Sequence, residues 1–154
     1  MLDSGIRGVG IRIPALREVF DAFPETRMNI EIKDTRPFVI SSLCKSIQSH
    51  DMAAKTMVAC FDADVLKKFR VQCPQVATSA GTSEVTTFYL LQKMQLQSIY
   101  SPVSLALQVP QKYGEVKIIT QEFIDAAHQR NLQVHVWTVN DTNDMRTLLK
   151  LQVD

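Results

Sequence analysis

The chain has 154 residues, of which 45% are hydrophobic and 21% charged, so it can bury one ordinary globular core and does not resemble a disordered chain. Its 17 basic and 16 acidic residues are well mixed and leave a formal net charge of +1. This balance excludes an overall electrostatic preference for nucleic acid or an anionic membrane, so any such preference would have to be local. No run reaches the roughly eighteen apolar residues of a membrane span, and no secretory signal opens the chain. We therefore expect a cytoplasmic protein.

The first 61 residues predict helices and strands in alternation. Pro14 favours the start of a helix that ends before Pro24, and a strand follows over 28–33. Pro37 opens a second helix through about His50. The apolar run over 56–61 predicts a buried strand.

The remainder continues the same alternation. In order we expect a helix over 63–73, a strand over 76–79, a helix from 84 to about 97, a strand over 104–109, a helix over 121–130, a strand over 132–139 and a helix to about 151. Helix caps are expected at Asp62, at Thr82 or Ser83, at Thr120, and at Asn140 or Asp141. Asn131 is expected to end its helix in the left-handed conformation.

Strands that are each followed by a helix pair in parallel through right-handed crossovers. A five-stranded doubly wound sheet fits the length of 154 residues as it stands. A (β/α)₈ barrel typically needs about 250 residues and would be incomplete here. The chain ends argue for part of a barrel, because residues 151–154 look like a helix exit into a further strand. Both architectures stay open at this point.

The segment Asn-Ile-Glu-Ile-Lys at 29–33 places two charges in an apolar strand. Because strand side chains alternate between faces, Glu31 and Lys33 point one way while Ile30 and Ile32 point the other. A buried charge without a partner is costly, so the pair is either a solvated ion pair at a strand end or part of a metal or phosphate site.

Two further strand ends carry candidate binding residues. Trp137 lies near the carboxyl end of a predicted parallel strand, where ligands bind in both candidate folds, although a core tryptophan is the alternative. His135 shares a strand face with Trp137, and it could line a pocket or lie in the core with its hydrogen bonds made. Gln108 lies near the end of the predicted strand over 104–109, and an outward-facing glutamine would explain it equally well.

The cysteines and an early glycine segment carry less information. Cys44, Cys60 and Cys73 show no C-x-x-C spacing, which favours reduced, buried thiols over a zinc site or a disulfide framework. Residues 5–10 contain three glycines without the spacing of a phosphate-binding loop, so we interpret them as a flexible connector.

Taken in order, segments across nearly the whole chain resemble the central and C-terminal part of the glycerophosphodiester phosphodiesterases. These segments are 13–20, 29–33, 106–110, 126–128 and 134–141, the last reading Val-His-Val-Trp-Thr-Val-Asn-Asp. The resemblance implies a (β/α)₈ barrel, a divalent cation held by carboxylates, and hydrolysis of small glycerophosphodiesters to an alcohol and sn-glycerol 3-phosphate. Oxygen ligands suggest Mg²⁺ or Ca²⁺.

The same resemblance assigns roles to individual residues. Glu31 matches a metal-binding carboxylate, and Lys33 matches the basic catalytic residue that meets the phosphate. Trp137 matches the aromatic wall of the substrate pocket, and we group Gln108 with it as a substrate-binding residue.

Several parts of the family pattern are missing. Members open with a His-Arg-Gly segment and a metal-binding Glu, continue with a Glu-x-Asp strand and a second catalytic histidine, and close with a Gly-x-x-Gly-Ile-x-Thr-Asp strand. None of these is present, so residues 1–154 are expected to form one partial domain, roughly strands three to seven, that is inactive alone. The alternative is a complete, non-catalytic binding domain with a doubly wound sheet. The sequence does not indicate an oligomeric state or a nucleic-acid partner.

Overall fold

The computed structural model describes residues 10 and 12–154, so the predicted connector lies outside the described residues apart from Gly10. The helices are α1 Leu16–Ala22, α2 Pro37–Ser49, α3 Ala63–Gln72, α4 Thr82–Lys93, α5 Gln121–His128 and α6 Thr142–Lys150. The strands are β1 Met28–Glu31, β2 Thr56–Ala59, β3 Ala77–Thr78, β4 Ala106–Val109, β5 Lys112–Tyr113, β6 Val116–Lys117 and β7 Gln133–Val136. Short 3₁₀ turns cover Ala53–Lys55 and Gln97–Ile99.

The parallel strands lie side by side in the order in which they occur along the chain. β1 pairs with β2, β2 with β3, and β4 with β7, all in parallel. A single parallel bridge between Ser79 and Ala106 joins the end of β3 to β4. A doubly wound sheet would reverse its strand order at a switch point, and the described strands show no such reversal. The predicted α/β class with parallel strands is confirmed.

This row of strands is strongly curved. The side-chain amide of Gln108 on β4 donates to Asn29 Oδ1 on β1 at 3.1 Å. Neighbouring strands are about 4.8 Å apart, so a flat sheet would separate β1 from β4 by roughly 14 Å, too far for these two side chains to meet. Asn29 and Gln108 therefore lie on the concave face.

The convex face packs against the helices. Ile32, Val58 and Cys60 pack with residues of α2 and α3 in one apolar cluster. Leu107, Val109 and Val134 pack with residues of α4, α5 and α6 in a second cluster. Because strand residues alternate, burying these side chains leaves their neighbours in sequence on the concave side.

Local capping signals are the most accurate of the predictions. Asp62 and Asp141 accept hydrogen bonds from backbone N–H groups in the first turns of α3 and α6, and Thr120 does the same for α5. Asn131 has the expected left-handed φ of +55°, although α5 ends at His128 rather than at the predicted residue 130. These residues act within one turn of the chain, so their effect does not depend on distant packing.

Other predicted boundaries are wrong. The first helix begins at Leu16 rather than Pro14, because the Glu18 carboxylate accepts from Ala15 N–H at 2.7 Å and makes Ala15 the cap. Gly81, not Thr82 or Ser83, caps α4. That helix ends at Lys93, since Gln95 adopts φ +60°. The hairpin formed by β5 and β6 was not predicted at all.

A disulfide between Cys44 and Cys73 contradicts the predicted free thiols and joins α2 to the end of α3. Both cysteines are buried, and Cys60 stays free. Spacing could not indicate this bond, because only the packing of α2 on α3 brings the two sulfurs together. Closing a loop of this length stabilises the fold by about 3–4 kcal/mol. Disulfides persist mainly in oxidising compartments, so the bond weighs against the expected cytoplasmic location, which stays a prediction.

A largely buried ion pair fixes α4 against α3. Arg70 donates to both carboxylate oxygens of Glu84, at 2.7 and 3.0 Å, and Gly81 N–H donates to Glu84 at 2.8 Å. Burial by itself would raise the pKa of Glu84, but the hydrogen bonds from Arg70 and Gly81 outweigh it and leave that pKa below its ordinary value. The ionised carboxylate therefore stabilises the folded state.

We expect Glu84→Gln to lower the free energy of unfolding by about 2–3 kcal/mol at neutral pH, because it leaves Arg70 without its anion. A lowered folded-state pKa gives stability that is fully present above the unfolded pKa and is lost as the pH falls through the folded pKa. The difference in the free energy of unfolding between wild type and variant should thus shrink on acidification. Urea unfolding at a series of pH values measures it, with the exposed Glu25→Gln as control. A difference that stays constant with pH would contradict this account.

Candidate functional site

Glu31 and Lys33 lie at the carboxyl end of β1 on the concave face. Ile32 N–H donates to Ala59 O at 2.8 Å, which holds the backbone between them beside β2 while the Ile32 side chain is buried on the opposite face. Lys33 Nζ donates to Glu31 Oε1 at 2.6 Å. Their side chains are 72% and 35% exposed, so the pair adds less than about 1 kcal/mol to stability. The fold does not need these charges.

Phe61 is fixed beside this pair by the start of α4. The backbone N–H and the hydroxyl of Thr82 both donate to Phe61 O, at 3.1 and 2.9 Å. A Cβ on Gly81 would lie 2.8 Å from Ala63 Cα, so glycine permits this close approach. The strand predicted to run through Phe61 ends at Ala59, and the Phe61 ring is 57% exposed. Its apolar run suggested burial, which is wrong for this residue.

Phe61 connects Lys33 to Trp137. Its ring meets the Trp137 ring edge to face, with centroids 5.7 Å apart, and Lys33 Nζ lies 5.4 Å from the Phe61 centroid. Trp137 directly follows β7, and its backbone N–H donates to Val109 O at 3.2 Å. We call Glu31, Lys33, Phe61 and Trp137 the rim cluster. Three of the four were predicted as site residues, and the structure brings them together.

Gln108 lies one layer below the rim cluster, toward the amino ends of the strands. Besides its bond to Asn29 Oδ1, its amide nitrogen lies 3.3 Å from His135 Nδ1, and Asn29 Nδ2 lies 3.4 Å from Gln108 Oε1. Asn29 precedes Glu31 by two residues, which places this layer about 6.6 Å down the strand. The prediction grouped Gln108 with Trp137, whereas its hydrogen bonds run to Asn29 and His135.

His135 is half-buried on the same concave face. Burial lowers its pKa, and the charge of the Asp154 carboxylate only partly offsets this effect. The ring is therefore neutral at physiological pH, and its Nδ1 can accept the Gln108 amide N–H. The sequence analysis singled out neither Asn29, although it shares a strand face with Glu31, nor Phe61, which follows the end of β2.

The described residues do not form a complete metal site. Within residues 10 and 12–154, no group of three or more His, Cys, Asp or Glu side chains could hold an ion. A hard divalent cation takes six or more oxygen ligands, and Glu31 offers one carboxylate that is already paired with Lys33. What the rim cluster offers directly is an exposed ammonium beside two aromatic rings, which suits an anion carrying an organic substituent.

The sequence profile of the glycerophosphoryl diester phosphodiesterase family matches residues 3–154. The chain is 27% identical over 151 residues to a Mycobacterium tuberculosis protein named "Probable glycerophosphodiester phosphodiesterase 2", covering 96% of this chain and 56% of the relative. It is 26% identical over 155 residues to the glycerophosphodiester phosphodiesterase of Bacillus subtilis, covering 92% of this chain and 49% of that protein. The chain thus spans about half the length of these curated relatives.

A Galdieria sulphuraria protein, whose crystal structure is titled as that of "a putative glycerophosphodiester phosphodiesterase", shares the fold. The TM-score is 0.72 at 21% identity, over 96% of this chain and 60% of that one. The family match covers nearly every residue, including the rim cluster. This chain belongs to the glycerophosphoryl diester phosphodiesterase family.

Proposed function

We propose that this chain is part of a metal-dependent phosphodiesterase that hydrolyses glycerophosphodiesters to an alcohol and sn-glycerol 3-phosphate. The observation that carries the proposal is the rim cluster, in which Lys33, Glu31 and Trp137 meet around Phe61 at the carboxyl ends of parallel strands. Active sites of (β/α)₈ barrels lie at that end. Membership of the family supports the same activity.

We also propose that the curved row is part of a (β/α)₈ barrel, in one partial domain over residues 1–154. Support comes from the strand order, which follows the sequence, and from the hydrogen bond between Asn29 and Gln108 across the concave face. The alternative of a doubly wound binding domain has no support from this order.

In this proposal the described residues bind and orient the substrate. Lys33 turns from Glu31 toward a phosphodiester oxygen and balances its charge, which an exposed ammonium can do at little cost. Trp137 and Phe61 cover the organic part of the substrate. Gln108 forms the floor below them, with its amide oriented by Asn29.

We propose Glu31 as one ligand of a divalent cation, Mg²⁺ or Ca²⁺, in a full-length protein where further oxygen ligands join it. Such a cation polarises phosphoryl oxygens. The described residues supply one carboxylate toward it, and the rim cluster contains no histidine to move protons.

The 154-residue chain alone is therefore expected to release no measurable sn-glycerol 3-phosphate from glycerophosphocholine, even with saturating Mg²⁺ or Ca²⁺. Proton-transfer groups typically contribute about 10²–10⁴-fold each, and one carboxylate holds these cations weakly. The matched control is Glu31→Gln in the same chain. A clear rate that this substitution abolishes would show that the described residues suffice.

The proposed function is tested by Trp137→Ala in the full-length protein that carries this chain. Trp137 is 41% exposed, so its loss should change the melting temperature little while lowering kcat/KM for glycerophosphocholine by about tenfold or more. Melting and kinetics are measured on one preparation, with the exposed Leu149→Ala as control. A normal kcat/KM beside a large fall in melting temperature would assign Trp137 a structural role, and absence of hydrolysis by the wild-type protein would refute the function.

A further inference from the structure

The hairpin formed by β5 and β6 has two chemically different faces. Lys112 lies directly opposite Lys117, and Tyr113 directly opposite Val116, in antiparallel register. Gly114, with φ +58°, lies in the connecting turn. Because strand side chains alternate, both lysines project from one face and the apolar pair from the other.

Both faces are open to solvent. Tyr113 is 79% exposed and Val116 is 48% exposed, and the two lysines are exposed as well. A two-stranded hairpin is marginal in water, and like charges directly opposite each other weaken it further. An environment that is apolar on one side and anionic on the other would stabilise both faces at once.

The hairpin stands at the same end of the strands as the rim cluster. The hairpin follows β4 after Pro110. The last residue of β4, Val109, accepts the backbone N–H of Trp137, which belongs to the rim cluster. Its base is closed by Ile118 N–H donating to Gln111 O at 3.0 Å, and the Gln111 side chain donates to Asp144 on α6 at 3.3 Å. A surface bound by the hairpin would thus lie beside the mouth of the proposed site.

We propose that this hairpin docks the protein onto a phospholipid bilayer that contains anionic lipid. Tyr113 and Val116 enter the interfacial region, where aromatic and aliphatic side chains are favoured, and Lys112 and Lys117 reach the head-group phosphates. Glu115 in the turn offsets one of the two lysine charges. The remaining charge is small, so binding to the bilayer requires the apolar pair as well as the lysines. Among residues 10 and 12–154, none of the helices has the length and hydrophobicity of a membrane span.

This proposal goes beyond the phosphodiesterase function and does not depend on turnover. The test is flotation of the chain with vesicles of phosphatidylcholine alone and of phosphatidylcholine mixed with phosphatidylglycerol, because flotation separates bound protein from aggregates, which sediment. We expect the wild-type chain to float with the mixed vesicles. Each lysine removed in Lys112→Ser or Lys117→Ser should lower partitioning about fivefold.

The double substitution Tyr113→Ser with Val116→Ser should lower partitioning about tenfold or more. Matched controls lie on the outer surface of α3, where Val71 is 83% exposed and Lys68 is also exposed, and Val71→Ser and Lys68→Ser should float like wild type. Lys112→Arg with Lys117→Arg keeps the charge and should retain binding, which separates charge from any change in hairpin folding.

Three results would overturn the proposal. They are no flotation with either vesicle, equal flotation with both compositions, and flotation that survives the double substitution of Tyr113 and Val116. If the chain floats with neither vesicle, a protein partner is left as the occupant of this surface.

Discussion

Glu31→Gln in the full-length protein is expected to lower kcat for glycerophosphodiester hydrolysis by about a hundredfold or more. Glutamine keeps the shape of the side chain and removes the negative charge that we propose for cation binding. The ion pair with Lys33 is too exposed to matter for stability, so the melting temperature should change little. An effect on rate without an effect on folding is the signature of a chemical role.

A neighbouring carboxylate provides the control for Glu31. Asp34 is three residues further on and is bound by Arg36, so Asp34→Asn should leave the rate near normal. Activity measured across a titration of Mg²⁺ or Ca²⁺ adds a second readout, because a lost ligand raises the cation concentration needed for half-maximal rate. A normal rate at the normal cation concentration in Glu31→Gln would exclude the assignment.

Lys33→Met should lower kcat/KM by about 10²–10³-fold, the usual effect of removing one donor aimed at a developing anion. Methionine keeps an apolar chain against Phe61, where Lys33 Nζ now lies 5.4 Å from the ring centroid. The rings of Phe61 and Trp137 should therefore keep their arrangement, and the fall in kcat/KM should reflect the missing charge. Steady-state kinetics with glycerophosphocholine measure it directly.

Lys33→Arg is the matched variant for charge, because a guanidinium can still pair with a phosphate oxygen. It should recover part of the activity that Lys33→Met loses. Inhibition by sn-glycerol 3-phosphate gives an independent measure, since it should weaken in Lys33→Met and persist in Lys33→Arg. If inhibitor and substrate bind Lys33→Met as they bind wild type, Lys33 does not meet the phosphate.

Several features set by local chemistry were predictable, although the local signals at Pro14 and Thr82 placed their helix starts wrongly, and features set by distant packing were not predictable. Pro37 and Asp62 each act within one turn, and α2 and α3 begin as expected. Asn131 has the expected left-handed conformation, although α5 ends at His128 rather than at residue 130. The hairpin was missed because two-residue strands are too short to show alternation. The disulfide was missed because Cys44 and Cys73 are 29 residues apart and meet only after α2 packs on α3.

The candidate site shows the same division. Alternation within one strand put Glu31 and Lys33 on a common face, and the structure shows them hydrogen-bonded. Their approach to Trp137 through Phe61 depends on the curvature of the whole row, which no single segment encodes. Phe61 ended an apolar run, so the pattern favoured burial and concealed its exposed ring.

The amide pair between Asn29 and Gln108 also bears on the order of events in folding. It joins residues 79 apart in sequence, and it can form only after the intervening strands have paired and bent toward each other. Closing so long a loop has an entropic cost that earlier, more local contacts do not carry. We therefore expect this contact to form late in folding, after the strands between β1 and β4 have paired.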